Sequence, residues 1–254
     1  MTAALIAQNT YREATRDRVL AGMVVAGIAL LVVTQIAAPL ALGEGTRLTV
    51  DLGLSGISMI GLLVVLLVGT SLVAKELERR TIYNLLSRPI GRSSYLVGKW
   101  AGLSAALWTV AVVLGVALGC ALALRGAHGR MVAVAEATYL AGLELSVVSA
   151  LAVLFSSLST PVLSALYTFA LYLVGQWSYD LRELAANYPE PLAGLMRGAA
   201  NVAPNLPLFN MRSLAAAGQP TSPLHLTIAT GYALVYVSCV LCLATAAFES
   251  KDFK

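Results

Sequence analysis

Long apolar runs broken by short polar stretches dominate the chain. Six of them are long enough, at about 20 residues each, to cross a bilayer as helices: 19–42, 52–74, 100–124, 131–158, 162–179 and 226–248. The first, second, third and sixth are uninterrupted, whereas the fourth carries Glu136 and Glu144. Ahead of them, Leu5, Ile6 and Tyr11 alternate with Gln8, Asn9, Arg12, Glu13 and Arg16 at near-helical spacing. That pattern predicts an amphipathic helix within 1–18, lying along a membrane interface with its arginines toward headgroups. The expected fold class is an all-α membrane protein: an interfacial helix at 1–18, a six-span domain at 19–248 and a short tail at 249–254.

The polar breaks differ in character. Gly43–Asp51 and Arg125–Arg130 are short and contain glycines suited to tight turns. The break at 180–223 is long, with prolines at 189, 191, 204, 207, 220 and 223, yet 192–203 and 206–217 stay apolar. Apolar patches need a surface to cover, so short helices re-entering toward the membrane are expected there. Lys75–Lys99 is different again. Lys75, Arg79, Arg80, Arg88, Arg92 and Lys99 crowd into it against only Glu76 and Glu78.

Composition agrees with the pattern. Apolar residues make up 58% and charged residues 12% of the chain, about half the charge of a soluble domain, and the mean hydropathy is +0.79. Six spans put both termini on one side. With the termini and the 75–99 loop inside, eleven of the 17 basic residues are cytoplasmic and six are outside, the bias expected of that orientation. The expected location is a bacterial cytoplasmic (inner) membrane, with both ends cytoplasmic. The net charge of +4 belongs to these loops and does not point to nucleic acid. The first twenty residues lack the apolar core and cleavage site of a signal peptide.

Candidate chemistry is sparse. An intramembrane carboxylate is expensive to bury and is a functional candidate by default. Glu144 falls about thirteen residues into its span, near mid-bilayer, and Glu136 lies eight residues earlier, about 80° away around the helix. One hydrated translocation pathway could meet both. The alternatives are a neutral Glu144 bonded to a neighbouring helix and a Glu136 that snorkels to the interface. Cys239 and Cys242 share a helix face and could hold a soft metal, but no histidine or methionine is near them in sequence; they read, like Cys120, as small apolar residues. Gly98-x-x-x-Gly102 and Gly115-x-x-x-Gly119 allow close helix approach and are candidates for a dimer seam.

The segment from Asp51 to Gly102 resembles the second span and following loop of type-2 ATP-binding-cassette (ABC) transporter permeases. The resemblance rests on an acidic pair (Glu76, Glu78), Thr81, the Leu86-Ser87-Arg88-Pro89 turn, Arg92 and Gly98-Lys99. Arg80 stands where the wider family often has glycine. That feature, Pro204–Arg212 (PNLPLFNMR) and the terminal FESKDFK resemble the multicopper-enzyme maturation subgroup, typified by the nitrous oxide reductase assembly permease.

The resemblance implies a half-transporter: two such chains pair, and two copies of a separate ATPase, carrying ATP and Mg, bind beneath them. The chain has no G-x-x-x-x-G-K-[ST] loop to cradle phosphates, so no cofactor is expected in it. The 75–99 loop then contains the coupling helix. Ile82, Leu85 and Leu86 form an apolar stripe rimmed by Glu76, Glu78, Arg79 and Arg80, and Pro89 ends it. Membrane lipid and an extracytoplasmic accessory protein are further candidate partners. Lipid, glycan, drug, peptide and sulfur or metal cargo all fit. Two other readings stay open. One is a channel or secondary transporter without an ATPase, although no internal repeat is visible. The other is a rhomboid-like serine protease, since Gly53-Leu54-Ser55-Gly56 resembles its G-x-S-G, with His225 as the base.

Overall fold

The computed structural model describes residues 3–41, 44–72 and 91–249. Helices α1 (Ala3–Arg16), α2 (Arg18–Ala37), α3 (Gly45–Val64), α4 (Arg92–Leu124), α5 (Met131–Leu158) and α6 (Pro161–Gln176) are followed by short helices α7 (Ser178–Ala185), α8 (Glu190–Val202) and α9 (Arg212–Ala216). The long α10 (Pro223–Glu249) completes the fold. Among the described residues there is no strand.

Five stretches are long and apolar enough to cross a membrane: Arg18–Ala37, Gly45–Gly69, Ser93–Leu124, His128–Leu158 and Pro223–Phe248. They match five of the six expected spans. The remaining one, α6, has 16 residues, about 24 Å at 1.5 Å each against a hydrocarbon thickness of about 30 Å. It stops at Gln176 because Trp177 leaves helical geometry (φ −98°, ψ 14°) before α7 begins.

Helix α5 is the axis of the bundle. Its apolar stretch is 89% buried, against 22% for α2 and 28% for α10. Val25, Val33 and Ile36 on α2 and Leu234, Val235 and Leu243 on α10 are exposed, an apolar exterior suited to lipid. Cys120, Cys239 and Cys242 lie on exposed faces too, so these thiols are surface residues of their helices.

Two boundaries differ from expectation. The turn assigned to Gly43–Asp51 is mostly helix, since α3 starts at Gly45. The polar stretch 75–99 ends early, because α4 begins at Arg92. Its first turns bury Tyr95 and Leu96 beside Ile6 and Phe248, with the Tyr95 and Phe248 rings stacked at 6.3 Å. Lys99 is consequently buried, its Nζ 3.9 Å from Glu13. Near its end α3 loosens into a π-helical turn, Val65–Gly69, and Ser156 of α5 donates to the Thr70 carbonyl at 2.7 Å.

The amphipathic N-terminal helix forms, but its buried face is Ile6, Thr10 and Ala14, and Leu5 is exposed. It packs on α4. A Cβ at Gly98 would lie 2.9 Å from the Ala3 carbonyl oxygen, and one at Gly102 would lie 2.5 Å from that of Ala7. The first glycine pair therefore seats α1 and is not an open seam between copies. Gly115 faces Thr138 of α5, while Gly119 faces open space.

Candidate functional site

The 180–223 segment folds into the expected short helices and is tied to the long ones. Asn205 N donates to the Tyr232 hydroxyl at 2.8 Å, and Arg130 donates to the Ala216 carbonyl. Gly218, at φ +78°, ends α9 with the paired bonds Gln219 N to Leu214 O (3.0 Å) and Gly218 N to Ala215 O (2.9 Å), a turn that glycine takes without a Cβ penalty. These ties bring α9 against α3.

A polar cluster results inside the apolar bundle. Glu144, only 2% exposed, projects from α5. Ser58 on α3 donates to its Oε2 at 3.3 Å, and Gln176 at the end of α6 donates to its Oε1 at 2.5 Å. Gln176 also lies 3.0 Å from the Tyr172 hydroxyl. On α9, Arg212 donates to Ser55 Oγ at 3.2 Å and acts electrostatically on Glu144. Both carboxyl oxygens are engaged, so the group is held in place without a direct ion pair among the described residues. Three elements, α3, α6 and α9, converge on one acid of α5.

Glu136 sits elsewhere. Its Oε2 accepts from the Thr221 amide at 2.6 Å, which fastens the segment leading into α10. No hydrogen bond or ion pair among the described residues joins it to the Glu144 cluster. Neither do Ser55 and His225 meet: Ser55 holds Arg212, and His225 Nε2 is 2.8 Å from the Leu208 carbonyl oxygen. The serine thus lacks the base that a protease requires.

Of the expected coupling residues, Glu76, Glu78, Arg79, Arg80, Thr81, Ile82, Leu85, Leu86, Arg88 and Pro89 lie outside the described residues, and Arg92 is the first residue of α4. Among the described residues no group of three or more His, Cys, Asp or Glu could hold a metal.

Sequence reasoning singled out Glu144 but not Ser58, Tyr172, Gln176 or Arg212. A glutamine closing an apolar run was a readable signal; the arrival of Arg212 at α3 was not, because it depends on how the long segment folds back. A family model described as ABC-2 family transporter protein matches residues 44–253, more than half of the chain. Comparison with curated proteins gave no match.

Proposed function

The chain belongs to the ABC-2 transporter family, and from that premise we propose that two copies pair in a bacterial cytoplasmic membrane as the permease of an ATP-driven transporter. As an ABC-2 permease it is a multi-pass membrane subunit. In the proposed assembly α6 completes six spans, both termini are cytoplasmic, and two copies of a separate ATPase, holding ATP and Mg, dock on the coupling loop at 75–99. The basic bias of that loop and its Leu86-Ser87-Arg88-Pro89 motif support the reading.

Within the bundle, Glu144 lines the translocation pathway in this proposal. The supporting observation is the cluster itself. A carboxylate with a guanidinium, an amide and two hydroxyls around it, placed where lipid-like packing would be cheaper, is what a polar passage needs and a purely structural core does not. Glu136 then holds the outer segment over the passage through its bond to Thr221.

The finer resemblance, to permeases of multicopper-enzyme maturation, rests on Arg80, the terminal FESKDFK and Pro204–Arg212; the last of these carries Arg212 into the cluster. Co-expression with a cognate ABC ATPase, followed by purification and hydrolysis assays, tests the assembly. A channel or secondary transporter would purify and work without that partner.

A further inference from the structure

Beside the Glu144 cluster, the first turns of α3 and helix α9 enclose a cleft of about 510 Å³ lined by Glu44, Arg47, Leu48, Asp51, Ser213 and Ala216. Arg47, Asp51, Ser55 and Ser58 recur at helical spacing and lie within about 80° of one another around α3. Charge alternates along this face. Arg47 is a cation and Asp51 an anion; Ser55 then carries the Arg212 guanidinium, and Ser58 the Glu144 carboxylate.

Two of these charges lack ionic partners. Asp51 is exposed and makes no hydrogen bond or ion pair among the described residues. Arg212 forms no ion pair there either, and its guanidinium spends one of five donors on a serine hydroxyl. Successive rungs are about one helical turn, or about 5.4 Å, apart. A simple anion drawn to Arg212 meets Asp51 on one side and Glu144 on the other. A simple cation drawn to Asp51 meets Arg47 and Arg212. A molecule carrying both charges, one turn apart, satisfies each and is repelled by neither.

We propose that a zwitterionic group binds here, with its ammonium at Asp51 in the cleft and its anionic end at Arg212, which is held by Ser55 one turn further along α3, beyond the residues that line the cleft. The group is either a free solute or a lipid headgroup. That the cleft feeds the pathway past Glu144 rests on the permease reading; the binding itself does not.

The test is equilibrium binding to the full-length chain purified without any ATPase. The probes are glycerophosphoethanolamine, which carries both charges, and ethanolamine and glycerol phosphate, which carry one each. The zwitterion should bind at least about tenfold more tightly than either fragment, and Asp51→Asn should weaken it by about tenfold. The circular dichroism and elution volume of the variant should match wild type, because the Asp51 side chain holds nothing in place. Arg212→Gln should weaken the same probe. In nanodiscs, loss of probe binding with phosphatidylethanolamine but not with phosphatidylglycerol identifies the headgroup as the ligand; retention in both identifies a free solute. No binding of the zwitterion, equal binding of a fragment, or unchanged affinity in Asp51→Asn overturns the proposal. Any of these outcomes leaves the permease assignment standing, since no ATPase is involved.

Discussion

Gln176 donates to the Glu144 carboxylate at 2.5 Å, joining the last residue of a 16-residue helix to the most buried helix of the bundle. The bond explains why α6 belongs to the core although it is short: its end is anchored by a buried hydrogen bond to an acid of α5. It also sets the orientation of the one acid around which α3, α5, α6 and α9 converge.

Replacing Glu144 by Gln should preserve the fold, because the amide still accepts from one neighbour and fills the same volume. ATP hydrolysis by the assembled transporter should nonetheless lose its response to cargo, since the group can no longer ionise. Glu144→Leu removes the hydrogen bonds as well and should cost about 0.6–2 kcal/mol for each interhelical bond lost. Thermal unfolding in detergent and hydrolysis assays on both variants separate the two effects. A glutamine variant that responds like wild type rules out the pathway role.

Gln176→Leu should destabilise by about 1–3 kcal/mol, because Glu144 Oε1 loses its donor without gaining water. Ser58→Ala should cost less, as the 3.3 Å bond it removes is longer. Unfolding midpoints of the two single variants and the double variant measure the coupling between them.

Gly102→Leu should displace α1 from α4. The added side chain starts 2.5 Å from the Ala7 carbonyl, and backbone cannot yield as a side-chain tip can, so a penalty of about 1–3 kcal/mol is expected. Limited proteolysis should then cut within residues 3–16 faster than in wild type. Equal cutting rates would show that α1 is not held by this contact.

Glu136→Ala should leave the Thr221 amide without its 2.6 Å acceptor. Protease sensitivity of the segment before α10 should rise, with little change in the unfolding midpoint. A large loss of global stability instead would make Glu136 part of the core.

Much of this architecture is legible in the chain. Continuous apolar runs fix the positions of the long helices, since outside a closed barrel only a helix satisfies its backbone in lipid. The exceptions have physical reasons. Apolar content alone carries a span through Tyr179, but the break at Trp177 ends α6 earlier. The Gly98–Gly102 spacing marks a close approach without naming its occupant, which is α1. Charge marks Lys99 as a loop residue, yet its stem lies under α1 with Glu13 at the tip, as a long aliphatic side chain permits. Glu144 stands out because an acid in an apolar run is rare. Its partners do not, because serine and glutamine are common and the folding back of α9 onto α3 leaves no local pattern.

The coupling loop gives a prediction from sequence alone. Arg79→Glu combined with Arg80→Glu reverses a polar rim outside lipid, so the bundle should fold while the ATPase is released or uncoupled. Unchanged assembly and hydrolysis would move the docking site elsewhere.

The most direct test of the central claim is the native mass of the chain purified after co-expression with a cognate ABC ATPase, read together with ATP hydrolysis. A complex of two permeases and two ATPases, with activity that vanishes when the permease is purified alone, is the predicted result. A chain that comes away free of the ATPase when the two are co-expressed, or that hydrolyses ATP by itself, contradicts it.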